Sequence, residues 1–319
     1  MGKKYLITGG TGFIGSSIVK RLVMTNNMVR VLDNNSRGAL SKLGDTAKNI
    51  EFVEADIRDF NAVQKAADGM DCIIHLAYVN GTEFFYTKPE LVLDIGIRGI
   101  LNVIDACRSN SIGELILASS SEVYQTPPLI PTDESVPLLI PDILNPRYSY
   151  GGGKILSELV AINYGRNAFE RVMIFRPHNV YGPDMGYEHV LPQFITRIRN
   201  AMGTVPTGPL PFPIQGDGSQ TRAFIYIDDF VDGFMCMLKH GEHLNIYNIG
   251  NPEEIAIRDV TIKIARYLGR EINILNGPLQ PGSTARRCPN IQKLASLGFK
   301  PQVSFDQGLP IIIDWYMSH

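Results

Sequence analysis

Several features that define other classes of protein are scarce in this sequence. Its four cysteines lie far apart and form no C-x-x-C pair, so neither a disulfide framework nor a cysteine metal site is indicated. They are Cys72, Cys107, Cys236 and Cys288. No apolar run approaches the roughly 20 residues that cross a bilayer, and the first residues lack the apolar centre of a signal peptide. We therefore expect free thiols in a cytoplasmic protein that does not bind membranes.

An excess of either charge is also absent. The formal net charge is -2 over 319 residues, which gives no long-range attraction for nucleic acid or anionic lipid. Histidines number six, and His240 and His243 flank Glu242 at a spacing that would share a helix face, but the H-E-x-x-H pattern is missing. The sequence predicts no metal site, and small anionic ligands must then be held by local arginines.

Glycines, by contrast, are concentrated near the start of the chain. The segment KKYLITGGTGFIG at 3–15 reads as a short strand, a tight turn and the beginning of a helix over 13–25. Gly9, Gly12 and Gly15 allow the backbone to turn sharply and to approach a pyrophosphate, whose charge would face the free N–H groups of that helix. This pattern predicts a dinucleotide site.

A second apolar run supports the same prediction. Val29–Leu32 ends in Asp33, about twenty residues after the glycines, where a carboxylate can accept hydrogen bonds from an adenosine ribose. Further short, branched apolar runs alternate with helix-like segments, at 50–55, 71–77, 114–119 and 171–176. This alternation predicts an α/β fold, a doubly wound parallel sheet of the Rossmann type with ligands at the carboxyl ends of its strands.

The pattern changes after Pro177. Long Pro- and Gly-rich stretches such as 203–218 read as loops over a substrate, strands are expected at 224–228, 246–250 and 272–275, and a helix at 306–316. We predict a dinucleotide-binding domain formed by 1–177 with 224–250. A smaller α/β substrate domain is formed by 178–223 with 251–319.

Tyr150 and Lys154 form a Y-x-x-x-K pair at the start of a helical segment, which places both side chains on one face. For a tyrosine to act as a base near pH 7.5, its pKa must fall by about 2.5, which costs about 3.4 kcal/mol. A cation about 4 Å away supplies roughly that amount at an effective dielectric constant near 20. Ser119, Ser120 and Ser121 end the preceding strand, where a hydroxyl can bridge a substrate oxygen and Tyr150.

These motifs together resemble the extended short-chain dehydrogenase/reductase family, most members of which modify nucleotide sugars. The resemblance rests on TGGTGFIG, SSSEVY, Y-x-x-x-K, RPHNVYGP at 176–183, GDGSQTRAF at 216–224 and RRCP at 286–289, and it covers nearly the whole chain. It implies NAD as cofactor and assigns the catalytic hydroxyl to Ser120. The implied cofactor-binding residues are Gly9, Gly12, Phe13, Ile14, Gly15, Asp33, Asn34, Arg37, Asp56, Ile57, Leu76, Ala77, Tyr150, Lys154 and Pro177, and the implied substrate-binding residues are Ser120, Asn179, Arg222 and Arg287.

The resemblance also implies a reaction, the removal of hydride from position 4 of an NDP-sugar. A 4-epimerase is the most frequent outcome, and a 4,6-dehydratase, a UDP-glucuronate decarboxylase, a 4-dehydrogenase and a catalytically silent NAD sensor stay open. Glu122 stands where dehydratases and decarboxylases carry a glutamate that moves a second proton. Relatives form homodimers through the helices equivalent to 98–107 and 154–164, so a homodimer is expected here.

Three positions depart from the family pattern. Gly96 and Ile100 replace a usual asparagine and threonine, and Gln125 replaces a usual glycine. The asparagine helps to connect the catalytic lysine to solvent, so proton exchange is expected to run differently in this chain. Gly153 stands where most relatives have serine, and this glycine and the later segments GDGSQTRAF, GNPEE and RRCPNI look most like UDP-glucuronate decarboxylases and their neighbours.

Overall fold

A seven-stranded parallel sheet organises the protein, in a computed structural model that describes residues 2–279 and 282–319. The strands of the described residues are β1 (Lys4–Thr8), β2 (Met28–Asp33), β3 (Glu51–Glu54), β4 (Cys72–His75), β5 (Glu114–Ala118), β6 (Arg171–Pro177), β7 (Val180–Tyr181), β8 (Leu210–Gln215), β9 (Thr221–Ala223), β10 (Ile225–Tyr226), β11 (Asn245–Ile249), β12 (Glu254–Ala256), β13 (Ile272–Gly277) and β14 (Arg286–Arg287). The helices are α1 (Phe13–Met24), α2 (Phe60–Ala67), α3 (Thr82–Thr87), α4 (Pro89–Ser109), α5 (Tyr148–Ala168), α6 (Val190–Thr204), α7 (Ile227–His240), α8 (Ile257–Tyr267), α9 (Gln292–Ala295) and α10 (Phe305–Ser318). Short 3-10 stretches lie at Leu40–Asn49 and Ser121–Tyr124.

Both faces of the large sheet are covered, which is why its strands are apolar without interruption. Successive side chains of a strand point to opposite faces, and in β1 Leu6 packs into the apolar cluster on one face while Ile7 packs into the cluster on the other. Both side chains are fully buried. The prediction of a parallel sheet between two helical layers is confirmed.

The order of the strands creates a crevice at the carboxyl ends. The sheet runs β11-β6-β5-β4-β1-β2-β3, so the chain moves outward from β1 to β3 and then returns to add β4 on the other side of β1. Crossover connections leave β1 and β4 in opposite directions, and ligands of such sheets bind in the gap between them. Gly9, Leu76 and Ser119 follow the ends of β1, β4 and β5 and therefore lie around this gap.

The stretch 203–218 contains a strand where the sequence indicated a loop. β8 pairs in parallel with β13, and its residues alternate between buried and exposed positions. Pro211 and Pro213 occupy the outward positions of a two-stranded sheet, where a missing N–H costs little. Pro211 and Pro213 therefore belong to an edge strand and not to an irregular segment.

Two further predictions are wrong in detail. Of the strand expected at 224–228, only Ile225–Tyr226 is extended, and α7 begins at Ile227. Asp228 and Asp229 lie in the first turn of that helix, where carboxylates are favoured by the exposed N–H groups. At the other end α7 stops at His240, and His243 beyond it accepts a hydrogen bond from the Val172 N–H, so the two histidines do not share a helix face.

The remaining strands form small sheets beside the large one. β12, β9 and β14 form one, β8 pairs with β13, and β7 pairs with β10. The division into a dinucleotide domain and a substrate domain stays a prediction. Across residues 2–279 and 282–319, the structure contains no helix with the length and apolar character needed to traverse a bilayer.

Candidate active site

A cleft of about 450 Å³ lies over the carboxyl ends of the large sheet. Every site residue predicted from the sequence lines it except Arg222, which belongs to β9. The lining residues among those predictions are Gly9, Gly12, Phe13, Ile14, Gly15, Asp33, Asn34, Arg37, Asp56, Ile57, Leu76, Ala77, Ser120, Glu122, Tyr150, Lys154, Pro177, Asn179 and Arg287. Residues from distant parts of the chain are thus brought together, while the role assigned to each one stays a prediction.

The glycine turn leaves room only for backbone. Gly9 has a φ of +75°, and a Cβ there would lie 2.7 Å from the Ala77 nitrogen. A Cβ on Gly15 would lie 2.1 Å from the Gly9 carbonyl oxygen, so α1 can start this close to β1 only with glycine at that position. Gly12 caps α1 without a side chain. The first turn of the helix therefore faces the cleft directly, an arrangement suited to phosphate oxygens.

Asp33 ends β2 beside this turn. Its Oδ2 accepts a hydrogen bond of 3.0 Å from the Thr11 N–H and its Oδ1 one of 3.0 Å from the Asn35 N–H, so backbone groups fix the carboxylate. Asn34 donates to Asp56 at 3.3 Å across the ends of β2 and β3. The position suits the recognition of ribose hydroxyls.

Arg37 does not lie free beside Asp33. Its guanidinium pairs with Glu188 and lies 5.1 Å from the centre of the Phe84 ring. Burial lowers the pKa of Arg37, while the neighbouring Tyr150 opposes that effect. Arg37 lines the cleft, but its ion pair holds it towards the segment between β7 and α6.

Tyr150 is buried near the start of α5 and is held by two aromatic rings. Phe85 stacks on it at 4.8 Å between centroids, and Tyr78 meets it edge to face at 5.2 Å. Burial raises the pKa of Tyr150 to about 12, the neighbouring Ser120 hydroxyl and the charge of Arg37 lower it, and Glu122 adds to the rise. Ser120 and Tyr150 thus line the same part of the cleft.

Lys154 lies one turn further along α5, where burial is nearly complete. Its Nζ donates to the Ala118 carbonyl oxygen at 2.7 Å and lies 5.8 Å from the centre of the Tyr150 ring. Burial lowers the pKa of Lys154 to about 7, while Glu158 raises it. The ammonium is thus fixed at the end of β5, beside the base that the sequence predicts.

Glu122 lies at the far end of the cleft among arginines. Arg287 donates to its carboxylate at 2.6 Å, and Arg147 lies 4.0 Å away. Burial alone would raise the pKa of Glu122, but Arg287, followed by Arg147 and Arg222, lowers it overall. The carboxylate is therefore ionised and held by ion pairs. Among residues 2–279 and 282–319, the buried Nε atoms of Arg287 and Arg147 have no hydrogen-bond partner.

Asn179 follows β6 in the left-handed region, with a φ of 41°. Its side-chain amide donates to the Ala223 carbonyl oxygen at 3.0 Å, which joins the segment after β6 to β9. This contact orients the amide along the cleft wall near Arg222, a side chain that packs beside Glu122 and Arg287.

A buried polar network behind the serines was not predicted. Ser119 donates to Glu158, and Arg176 holds the same carboxylate through two hydrogen bonds of 2.9 and 2.6 Å. Arg176 also donates to the Tyr124 hydroxyl at 2.7 Å. Glu158 follows Lys154 by one helical turn, which was visible in the sequence, but its pairing with Arg176 depends on the packing of α5 against β6.

Two aromatic residues at the catalytic end were also missed. Tyr78 and Phe85 follow β4 and surround Tyr150, although neither belongs to a motif. The sequence signal for Tyr78 was the pair of glycines at 96 and 153. Glycines on two facing helices leave a space that the side chain of another residue can fill.

Comparisons with known proteins agree with this geometry. The model of the NAD dependent epimerase/dehydratase family matches residues 5–250. A UDP-N-acetyl-alpha-D-glucosaminuronate decarboxylase of Bacillus cytotoxicus is 30% identical over 328 residues, which cover 99% of this chain and 98% of that protein. A putative UDP-glucose 4-epimerase of Methanocaldococcus jannaschii is 30% identical over 97% of both chains.

A solved structure shows the same architecture. The dTDP-glucose 4,6-dehydratase of Streptomyces venezuelae, determined with NAD bound, superimposes with a TM-score of 0.87 at 28% sequence identity, covering 98% of this chain and 96% of that one. The relatives named here include a decarboxylase, an epimerase and a dehydratase. Sequence identity near this level resolves the family but not the reaction.

Proposed function

Since the chain belongs to the NAD dependent epimerase/dehydratase family, we propose that it is an NDP-sugar 4-epimerase that uses Tyr150 as its base. The observation that supports the proposal is the placement of Ser120, Tyr150 and Lys154 together on the wall of the cleft, with the Lys154 Nζ 5.8 Å from the centre of the Tyr150 ring. A sugar hydroxyl placed beside this pair meets a proton acceptor and a hydroxyl that can orient it. Two hydride transfers separated by a rotation of the sugar need no further group.

NAD is the cofactor of this family, and the residues present fit it. Gly9 and Gly15 leave a cradle that a Cβ would fill, and the Asp33 carboxylate is fixed at the end of β2. When bound, NAD accepts hydride from the sugar and returns it, and the positive charge of its oxidised ring favours the ionised form of a nearby phenol. The backbone of the first turn of α1 would hold its diphosphate and Asp33 its adenosine ribose.

The residues of this chain carry out the transfer of one proton. Tyr150 takes the proton of the 4-hydroxyl group as hydride leaves the same carbon, and it returns the proton when hydride comes back. Burial opposes ionisation of this phenol, so Lys154 must supply compensating charge. Ser120 donates to or accepts from the same oxygen and fixes its direction. Phe85 and Tyr78 exclude water from one side of the pair.

The state of Glu122 favours epimerisation over a reaction with a second proton transfer. A dehydratase must deliver a proton to the leaving hydroxyl group, whereas the pKa of Glu122 is lowered and its Oε1 already accepts from Arg287. A carboxylate that is held in this way orients the arginines on the side of the cleft where the sugar would bind. Because it is ionised, it has no proton to donate as an acid.

A second candidate is the decarboxylation of a nucleotide uronic acid. It is supported by the arginines around Glu122, because the Nε atoms of Arg147 and Arg287, which find no partner in the part of the chain that the structure describes, suit an anionic group. The relative from Bacillus cytotoxicus is named for such a reaction. In this case the substrate carboxylate would bind these guanidinium groups after oxidation at position 4.

Incubation with NAD and a panel of NDP-hexoses and NDP-uronic acids separates the candidates. A 4-epimerase gives a product that has the mass of its substrate but a different chromatographic retention, while the product of a decarboxylase is 44 mass units lighter than its substrate. Loss of 18 mass units, or release of NADH with a keto sugar, would overturn the epimerase proposal. NAD binding with no turnover of any sugar would indicate a catalytically silent sensor.

Glu122→Gln provides the companion test on whichever sugar is active. In an epimerase the amide still accepts from Arg287, Ser120 and Tyr150 are untouched, and we expect kcat to change by less than about tenfold. In a decarboxylase or dehydratase the same change should cost about a hundredfold or more. Glu253→Gln, which alters an exposed carboxylate outside the cleft, is the matched control. A hundredfold loss in a clean epimerase would show that the role assigned to Glu122 is wrong.

A further inference from the structure

Tyr78 occupies a space that two glycines create. It follows β4 and points between α4 and α5, where a Cβ on Gly96 or on Gly153 would each lie 2.2 Å from its hydroxyl oxygen. At 96 the Cβ would also lie 2.3 Å from the ring carbon Cζ, whereas at 153 that carbon is 3.5 Å away, so a side chain at either position requires Tyr78 to move. Residues 78, 96 and 153 therefore form one packing unit, which we call the tyrosine cradle.

The ring of Tyr78 lies against the two groups that perform the proton transfer. The Lys154 Nζ is 4.0 Å from its centroid, closer than to the Tyr150 ring, and Tyr150 meets it at an interplanar angle of 88°. A cation at this distance is attracted by the negative face of an aromatic ring, and the attraction grows when water is excluded. The hydroxyl of Tyr78 is buried and has no hydrogen-bond partner within residues 2–279 and 282–319, so Tyr78 contacts Lys154 and Tyr150 through its ring.

Few other groups stabilise the charge of this lysine. Its Nζ donates to the Ala118 carbonyl oxygen, and Glu158 faces it from the next turn of α5. His75 faces it from β4, but burial, with a contribution from Lys154 itself, lowers the pKa of that imidazole to about 3, so it is neutral. Glu158 is shared with Arg176 and Ser119. The aromatic face thus lies where an additional stabilising partner is needed.

We propose that Tyr78 is a positioning residue that holds the Lys154 ammonium group beside Tyr150 through its ring face, and that Gly96 and Gly153 are the substitutions that admit it. This inference rests on the proposed function only in naming Tyr150 as the base. It gives one structural reason for the absence of a side chain at both 96 and 153. The cation–π contact replaces polar side chains as the support of the lysine.

The test measures the pKa of Lys154 directly by NMR titration of ¹³C-labelled lysine side chains in the full chain, free and saturated with NAD. The Lys154 signal is identified by its loss in Lys154→Met. We expect Tyr78→Leu to lower this pKa by about one pH unit, because the leucine side chain has no negative face. Tyr78→Phe keeps the ring and should leave the pKa within about 0.3 of the wild-type value.

An unchanged Lys154 pKa in Tyr78→Leu would overturn the proposal, and so would an equal fall in Tyr78→Phe, which would assign the effect to the hydroxyl. The titration needs no sugar substrate, so an inactive sugar panel would refute the proposed reaction without affecting this result. The converse also holds, since epimerase activity with an unmoved Lys154 pKa would refute the role of Tyr78 alone.

A double-mutant cycle tests the cradle where Tyr78→Leu fails to fold. Gly153→Ala should lower the melting temperature of the wild-type chain by several degrees and be tolerated in a Tyr78→Phe background, because without the hydroxyl oxygen the methyl group meets only the ring carbon Cζ and the Leu93 Cδ2, each at 3.5 Å. Gly152→Ala, whose methyl group would meet only the flexible tip of Ile140 at 3.1 Å, is the matched control on the same helix. If the effects of the Gly153 and Tyr78 changes on the melting temperature were additive, the proposal that these residues form one packing unit would be wrong.

Discussion

At the scale of single residues, Tyr150 carries the most direct prediction. Tyr150→Phe removes the oxygen to which we assign the proton transfer but keeps the ring between Phe85 and Tyr78. We expect kcat to fall at least a hundredfold, since general-base catalysis is worth that much or more, and NAD affinity to change by less than about threefold. Steady-state kinetics and calorimetric titration with NAD measure the two effects.

Tyr164→Phe is the control for this change, because Tyr164 is an exposed tyrosine of the same helix. A Tyr150→Phe enzyme that kept more than about a tenth of the wild-type rate would show that another group acts as the base.

The position of Asp33 predicts a preference for NAD over NADP. Its carboxylate is fixed by the Thr11 and Asn35 N–H groups, so it cannot turn away from a 2′-phosphate. We expect NAD to bind at least tenfold more tightly than NADP, and Asp33→Ser to narrow that ratio. Dissociation constants for both cofactors measure this preference. Glu54→Gln, an exposed carboxylate at the end of β3, should leave the ratio unchanged, and equal constants in the wild-type chain would refute the assignment of Asp33.

Residues within short motifs could be identified from the sequence, while those that act through packing could not. Gly9, Asp33, Tyr150 and Lys154 have fixed spacings because one turn or one helix positions each group. Phe85 reaches Tyr150 only because α3 packs near α5, and no local pattern records that contact.

At the scale of elements, α4 and α5 present apolar side chains outward. Leu159 is 56% exposed, and Leu101, Leu156 and Tyr164 are exposed on the same two helices. A homodimer through these helices stays a prediction. Leu159→Glu places a charge on that surface, so we expect it to shift a dimer toward monomer by at least tenfold in dissociation constant. Light scattering coupled to size-exclusion chromatography measures the mass.

Met24→Glu is the control for this substitution, since Met24 is exposed at the end of α1 on a different helix. A monomeric wild-type chain, or a dimer unaffected by Leu159→Glu, would contradict the prediction.

Element boundaries were predicted well where the hydrophobic period was clear. The strands of the large sheet are buried on both faces, so their runs stand out, and the terminal helix expected at 306–316 lies within α10. β8 was missed because Pro211 and Pro213 read as loop residues, although they are compatible with an edge strand. β10 was overestimated because the apolar run continues through Ile227 into a buried helix.

At the scale of the whole molecule, two buried histidines couple stability to pH. Burial lowers the pKa of both His75 and His178 to about 3, whereas the unfolded value is about 6.5. The folded state therefore favours the neutral form, and the stability that this preference provides is fully present above the unfolded pKa of about 6.5. As pH falls from 6.5 toward 3, the unfolded chain takes up protons that the folded chain does not, and the free energy of unfolding decreases.

We expect these two imidazoles to lower this free energy by about 3 kcal/mol between pH 6.5 and pH 5, about half from each. Urea unfolding at the two pH values measures it. His178→Gln should remove its own share of about 1.5 kcal/mol, and the fold should persist because the Nε2 partner Asn248 can still bond to an amide. The exposed His319→Gln serves as control, and a wild-type stability that rises or stays level over this range would refute the linkage.

The tyrosine cradle also makes its three residues interdependent. A tyrosine at 78 in this orientation is incompatible with a Cβ at 96 or 153, because each Cβ would overlap its hydroxyl oxygen. A smaller residue at 78 alone leaves a void beside Lys154, and a side chain at 96 alone displaces the ring. No single substitution among the three can therefore be made without disturbing the surroundings of the lysine.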